Sequence, residues 1–475
     1  MMNVRRISAT LLGMTLSLSA QTIAVKTVPI LSCDQFNLVP SYRQDMGDVC
    51  LAVTDSVQDL YFNPAKNSGA HAHMFFAVKR DYWNFSQETA YRQQGSYSYN
   101  SSEESSASAS LLSIPIGWYA SGKKVYGGGM IAMQQVSNTS TSKENFKANN
   151  FPLSLFAGVR IPSLALNVGA GLSHIKLSAT DGVYLLYPNA TRLHQHGKAD
   201  QLRLGLDKKI GARNQWSLLA MRYLYQLDQS TSDVTNKDEH EGWVVHTDLI
   251  HALPSGWSVS GSIVADWRYH PKIPEYPLAS IPRDPGHTQA LQLGLGGKWQ
   301  NSTTLLGIDL IYEPIDVKTW AEAASEIKTW DNQIYQKGDV TMRNDYHFHN
   351  RLIRSGAQFA ISGRVVLRTG AQLRIYEYDY YQNDFINHLE TLRKPQRKWT
   401  ETTWTGGATV HLPHVDLNYS LRLWTGTGLL ERQWLWRWFE NVDFAKADFI
   451  VPPTVQLNVT PVTYVTQWVG LSWTF

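Results

Sequence analysis

Apolar and polar residues alternate with period two along much of the chain, and that pattern limits its folds more than any other feature. Between 257 and 268, Trp257, Val259, Gly261, Ile263, Ala265 and Trp267 share one face; Ser258, Ser260, Ser262, Val264, Asp266 and Arg268 share the other. Successive side chains of a strand point to opposite faces, so this segment reads as a strand whose greasy side is closed by Trp at both ends. Val415, Leu417, Tyr419, Leu421 and Leu423 alternate likewise with Asp416, Asn418, Ser420, Arg422 and Trp424. So do Leu202, Leu204 and Leu206 with Arg203, Gly205 and Asp207, and Val365, Leu367, Ala371, Leu373 and Ile375 with Arg368, Gln372 and Arg374.

A soluble β-sandwich also alternates, but its outward face is polar and lacks Trp-bounded apolar bands. Charged residues are 17% of the chain, against about 25% in soluble domains. Past the N-terminus no uncharged apolar run reaches the roughly 18 residues of a membrane helix, and 12% aromatics argue against disorder. Within hydrocarbon only helices and closed barrels pair every backbone polar group, which leaves an all-β transmembrane antiparallel barrel. A net charge of +3 without a polybasic block gives no support for nucleic-acid binding.

Seven short turns punctuate the strands: 120–124, 161–163, 211–215, 254–256, 300–302, 362–363 and 413–414. Long polar connections such as 138–150, 229–240 and 271–285 fall between them, the asymmetry of an outer-membrane barrel. With both chain ends on the short-turn side, the count comes to about 14 to 16 strands.

Arg5 and Arg6 followed by the apolar or hydroxylated stretch Ile7 to Ala20 read as a secretory signal peptide, residues 1–24, closing at Ala20 or Ala24. Cys33 and Cys50 are the two cysteines; in an exported chain they are expected to form one disulfide, the alternative being two unpaired buried thiols. At the other end Val469, Leu471, Trp473 and the terminal Phe475 alternate with small or polar residues. A final aromatic closing such a strand resembles the insertion signal of bacterial outer-membrane barrels, and implies the barrel assembly machinery as a partner. Barrel strands are expected over 72–475.

Residues 25–71 show little alternation and many turn formers, so they form either a plug within the barrel or a tail outside it. Gly47, Ala52, Asp55, Asp59 and Asn63-Pro64-Ala65 occur there in order, and Ser113-Ile114-Pro115-Ile116-Gly117-Trp118 follows. This arrangement resembles the FadL-type outer-membrane transporters of long-chain fatty acids and aromatic hydrocarbons, whose N-terminal hatch carries an Asn-Pro-Ala motif shortly before the first strand. The resemblance implies a hatch over 25–71 with Asn63, Pro64 and Ala65 as its motif. It also implies passive transport of hydrophobic small molecules across the outer membrane of a Gram-negative bacterium. Lys66 departs from the family pattern, as do the Cys pair and a strand count above the family's fourteen. The alternatives are a secretion-associated or structural barrel that binds a protein partner, and a general porin for polar solutes.

No catalytic constellation is recognisable, and no cofactor or metal is implied. Gly294-Leu295-Gly296-Gly297-Lys298 lies inside an alternating strand and has Trp299 where a phosphate loop needs Ser or Thr. His194 with His196 and His347 with His349 share strand faces but read as solvated side chains. If the more polar face of each strand points inward, Arg203, Arg222, Asp266, Arg268, Arg368, Arg374, Asp416 and Arg422 line the lumen, with Asp207, Asp248 and Asp309. They form either a stiffening salt-bridge lattice or, through one or two guanidinium forks, a contact for a substrate carboxylate. Trp320, Ala324, Ile327, Trp330 and Ile334 recur at three- or four-residue steps and predict an amphipathic helix in an outer loop. With Trp434, Trp436 and Trp438 they are the candidate capture site for a hydrophobic molecule. Outer-membrane lipid is the remaining expected partner, and the oligomeric state is not legible.

Overall fold

The computed structural model describes residues 38–66, 72–90, 102–138, 147–180, 194–230, 235–270, 273–276, 281–283, 285–323, 325–386, 388–393, 399–427 and 463–475. The expected signal peptide and Cys33 lie outside these residues, as do Trp434, Trp436 and Trp438.

The strands are β1 (His73–Ala90), β2 (Ser102–Ser121), β3 (Val125–Asn138), β4 (Lys147–Ile161), β5 (Leu166–Thr180), β6 (His194–Ile210), β7 (Asn214–Ser230) and β8 (Thr235–Ala252). They continue as β9 (Trp257–His270), β10 (Gly286–Gln300), β11 (Thr304–Glu322), β12 (Val340–Ala360), β13 (Val365–Tyr376), β14 (Trp399–His411), β15 (Asp416–Thr427) and β16 (Thr463–Thr474). Tyr378–Asp384 prolongs β13 and Leu389–Arg393 leads into β14, so the sheet's eighteen hydrogen-bonded segments amount to sixteen staves. Each stave pairs antiparallel with the next, and β1 pairs with β16 from His73↔Thr474 to Asn84↔Thr463, which closes the ring. Closure leaves the barrel sheet without an edge stave among the described residues. The structure thus decides the strand number within the range the turns allowed.

All seven short turns fall where the sequence places them, between β2 and β3, β4 and β5, β6 and β7, β8 and β9, β10 and β11, β12 and β13, and β14 and β15. Their chemistry is local. Gly211 has φ +65° and Gly256 φ +81°, backbone that L side chains rarely adopt. A Cβ on Gly256 would also stand 2.0 Å from the Gln300 carbonyl oxygen.

Period two separates the two surfaces. Along β9, Trp257, Val259, Ile263 and Trp267 are exposed on the outer wall, while Ser258, Ser260, Ser262, Val264 and Asp266 are buried. Outward Met74, Ile116, Leu155, Leu204, Leu295, Leu310, Ile353 and Leu421 continue the apolar outer band. Arg222 corrects the sequence reading. It shares the outward face of β7, bonding Glu241 at 2.7 Å with its guanidinium over the Trp243 ring, because the parity of β7 turns Leu219 and Met221 inward instead.

The amphipathic helix is also corrected. Trp320 lies in β11 opposite Arg343, and Ile327–Lys328 pairs with Ile334–Tyr335 in a small hairpin. Ala324 is outside the described residues. Asn332 takes φ +67° at the hairpin tip, a conformation Asn tolerates, and the Thr329 backbone N–H donates to Gln333 O at 2.9 Å. Seven residues separate Ile327 from Ile334, a spacing shared by two helical turns and by the two ends of this hairpin.

Candidate functional site: the inner wall and the segment it holds

Residues 38–66 fold as a small unit of their own. A 3-10 turn, Tyr42–Met46, starts at Ser41, whose hydroxyl accepts from the Arg43 N–H. A short helix, Gln58–Phe62, follows. The Arg43 guanidinium joins them: it meets Asp59 at 2.7 Å, donates to Gln58 Oε1 at 2.6 and 3.1 Å, and donates to the Val53 carbonyl at 3.2 Å. Asp55 accepts from the Ser41 hydroxyl at 2.7 Å and from the N–H groups of Val57 and Gln58. A buried guanidinium is tolerable because its donors are met.

The unit's outer contacts run round the ring, from Gly129 of β3 to Arg422 of β15. The Tyr61 hydroxyl donates to Gly129 O at 2.7 Å, and the Arg203 guanidinium donates to Tyr61 O. Asn63 Nδ2 donates to Leu218 O at 3.2 Å and Tyr126 donates to Pro64 O at 2.9 Å. Lys66 pairs with Asp248 at 2.8 Å, so the residue that departs from the family pattern has a specific partner on β8. Asp309 accepts from the Cys50 N–H at 2.7 Å, and the Cys50 Sγ accepts from Arg354 at 3.3 Å. Asp48 accepts from Arg422 and Gln372, and Asp45 lies 3.5 Å from Arg368.

Several inward glycines let the segment approach the wall, most tightly at Gly205, Gly356, Gly370 and Gly407. A Cβ would come within 2.0 Å of Asn63 Oδ1 at Gly205, 2.2 Å of Met46 O at Gly356, 2.1 Å of Gly47 N at Gly370 and 2.1 Å of the Asp45 carboxylate at Gly407. Sequence reading missed this seat, although it left a trace. Each of these glycines stands at an inward-parity position beside polar or charged residues, as Gly205 does between Arg203 and Asp207.

The predicted lumen charges now divide. Arg203, Arg368 and Arg422 contact the segment. Arg268 pairs with Asp266 at 2.6 Å, Arg374 lies 3.7 Å from Glu313, and Asp416 bonds His411 at the short-turn rim. Burial pushes the Asp45 carboxyl up to about 7, partly opposed by Ser420 and Arg368.

The remaining inner wall is uneven. Facing rows of β11 and β12 are Ile311 with Leu352, Glu313 with Asn350, Ile315 with Phe348 and Val317 with Tyr346, all at most 4% exposed. Leu51 of the segment packs on Ile311 and Leu352. Facing inward rows of β14 and β15 are Thr405 with Arg422, Gly407 with Ser420, Thr409 with Asn418 and His411 with Asp416. On the outer wall, a groove of about 920 Å³ is lined by apolar side chains such as Leu249, Ile263, Leu295, Leu310 and Ile353.

At the long-loop rim, Trp330 is 78% exposed on its hairpin and edge-on to His388, while Ile327 is half-buried. Trp320 donates to Glu322 at 3.0 Å. At the closing strand, Val469 and Phe475 are exposed, and Leu471 and Trp473 are half-buried on the same outward face. His347 and His349 bond different partners, Asp316 and Tyr312. Among the described residues no group of three His, Cys, Asp or Glu side chains could hold a metal ion.

The fold and its inner wall define a closed sixteen-stave antiparallel barrel whose inward side chains contact an N-terminal segment. No family model matches the chain, and no curated protein matches it. Among solved structures, it is similar to the toluene transporter TodX of Pseudomonas putida, with 13% identity, 95% of this chain and 100% of that one covered, and a TM-score of 0.43. It is also similar to a Pseudomonas aeruginosa FadL homologue, at 10% identity, 95% and 100% coverage and a TM-score of 0.46. The monoaromatic hydrocarbon channel CymD matches at 11% identity, 91% and 96% coverage and a TM-score of 0.38. The barrel assignment rests on the strand register, not on these likenesses.

Proposed function

We propose that the chain is an outer-membrane channel of a Gram-negative bacterium that admits hydrophobic small molecules by passive diffusion, with residues 38–66 as its plug. The observation that carries this reading is the seating of the segment against a barrel whose β11–β12 wall carries the facing apolar rows Ile315 with Phe348 and Val317 with Tyr346, between the polar rows Glu313 with Asn350 and Thr319 with Asn344. A sixteen-stranded barrel without such a segment has an aqueous channel. Charged groups meet the segment here instead, and apolar side chains offer a path that a hydrated ion does not favour. In this reading Trp320, Ile327 and Trp330 are first contacts for an apolar solute, the Val469 to Phe475 strand carries the assembly signal, and Cys33 and Cys50 close a loop at the segment's start. Toluene and fatty acids are the substrate classes suggested by the motif resemblance and by the names of similar structures.

The test combines planar-bilayer conductance with uptake of labelled toluene and fatty acid by cells. The full chain is expected to conduct ions poorly and to raise hydrocarbon uptake, and a chain lacking residues 38–66 is expected to conduct at least about tenfold better. High conductance by the full chain would make it a general porin and overturn the reading.

A further inference from the structure

Gly261 stands on the lipid-facing side of β9, in a row whose neighbouring members are Leu or Ile. The register sets Leu249, Gly261, Leu295, Leu310 and Ile353 side by side across β8 to β12. The next row toward the long-loop rim is Thr247, Ile263, Leu293, Tyr312 and Arg351. Glycine weakens a strand interior and commonly marks a bulge, a close backbone approach or the approach of a ligand. The register runs past Gly261 on both sides without a shift, and a Cβ there would have no atom within 4 Å. Among the described residues neither a bulge nor a close backbone therefore accounts for it. What the missing side chain leaves is space. The two rows line the outer groove of about 920 Å³, on which Leu249, Ile263, Leu295, Leu310 and Ile353 are 41 to 68% exposed. Ligand sites have about this volume, an apolar lining and a few placed polar groups.

The groove has one charged end. Along β12 the outward residues Phe359, Ala357, Ser355 and Ile353 climb from the short turn, and Arg351 follows opposite Tyr312, where an aromatic girdle is expected. The Arg351 side chain is 54% exposed and lies 3.6 Å from Glu377, while the Tyr312 hydroxyl bonds His349 at 2.8 Å. A guanidinium carries five N–H donors in a planar fork suited to phosphate, and the Glu377 contact engages one of its nitrogens. We propose that this groove binds a phosphate-bearing lipid of the outer leaflet, its phosphate on Arg351 and an acyl chain in the notch at Gly261. The leaflet follows from position: Arg351 and Tyr312 lie on the long-loop side of Gly261, and long loops of such barrels face the outside of the cell. The proposal rests on the outer-membrane placement of the barrel and goes beyond the transport reading, because the groove faces away from the lumen.

Native mass spectrometry of the purified full-length barrel in detergent, titrated with bisphosphorylated lipid A and with the same lipid stripped of its phosphates, tests this. The wild type is expected to bind the phosphorylated form at least about tenfold more tightly. Arg351→Gln is expected to erase that difference. Gly261→Leu, which fills the notch without meeting another atom, is expected to weaken both forms at least about fivefold. Arg222→Gln removes an outward cation beyond the groove and is expected to change neither affinity. Equal wild-type affinities for the two lipids would overturn the proposal, as would an undiminished affinity in folded Gly261→Leu. A loss in Arg222→Gln equal to that in Arg351→Gln would reduce the effect to general surface charge and overturn it too. None of these outcomes touches the conductance and uptake test, so the two readings fail separately.

Discussion

The β11–β12 wall and the β14–β15 wall come from the same barrel, share the same pleat and contact the same N-terminal segment, yet they hold it differently. On β14 and β15 the segment is keyed by polar groups: the Thr405 hydroxyl accepts from the Gly47 N–H and donates to Asp45 O, both at 2.8 Å, and Arg422 meets Asp48. On β11 and β12 the contacts are mainly packing, Leu51 on Ile311 and Leu352, with Asp309 receiving two backbone N–H groups. Charge pairs fix register and orientation, whereas apolar contact is non-directional. One wall therefore keys the segment through polar groups, and the other packs it on apolar ones.

If that division is real, one substitution made in each wall should separate them. Val317→Lys places an unpaired cation among buried apolar groups, which costs several kcal/mol. It is expected to lower hydrocarbon uptake at least about tenfold. His411→Lys places a cation beside Asp416 on a half-exposed row and is expected to leave uptake within about twofold. Equal losses from both would mean that the walls do not differ in function. A smaller effect is expected from Arg422→Leu. Asp48 is 3% exposed and keeps Gln372, while Arg422 retains some solvent contact, so about 2 kcal/mol of seating is lost. Faster proteolysis within residues 38–66 of an otherwise folded barrel is the readout.

The smallest effect concerns pH. The Asp45 carboxyl is raised by burial to about 7, above its usual range, so the stability tied to its protonated form is complete below about 4. It is lost as pH rises through 7. Ion leakage is expected to increase modestly between pH 5 and 8, and Asp45→Asn should flatten the profile. A profile identical in the two proteins would remove Asp45 as its origin.

Strands and turns were legible because both are local: parity sets each face, and the short turns carry their own Pro, Gly and Asx chemistry. The seat was not. It joins Gly47 to Thr405 and Asp48 to Arg422 across more than 350 residues, and no spacing rule reaches that far. Arg222 departs from the reading because polarity alone does not mark the inward face: on β7 the inward positions hold Leu219 and Met221, and the cation rests on the ring of Trp243. Trp320 to Ile334 misled because a hairpin and a helix can share one spacing.

Ring closure also has a consequence in time. The first stave bonds the last, and the segment preceding β1 contacts inward-facing groups of the staves between them. If residues 38–66 are the plug, the last strand closes around a segment whose own contacts, Arg43 on Asp59 and Ser41 on Asp55, are local in sequence. Contacts as distant in sequence as those of β1 with β16 form late, since each must overcome the entropy of closing a long loop. In that reading the N-terminal unit serves as the mould on which the final seam is sewn.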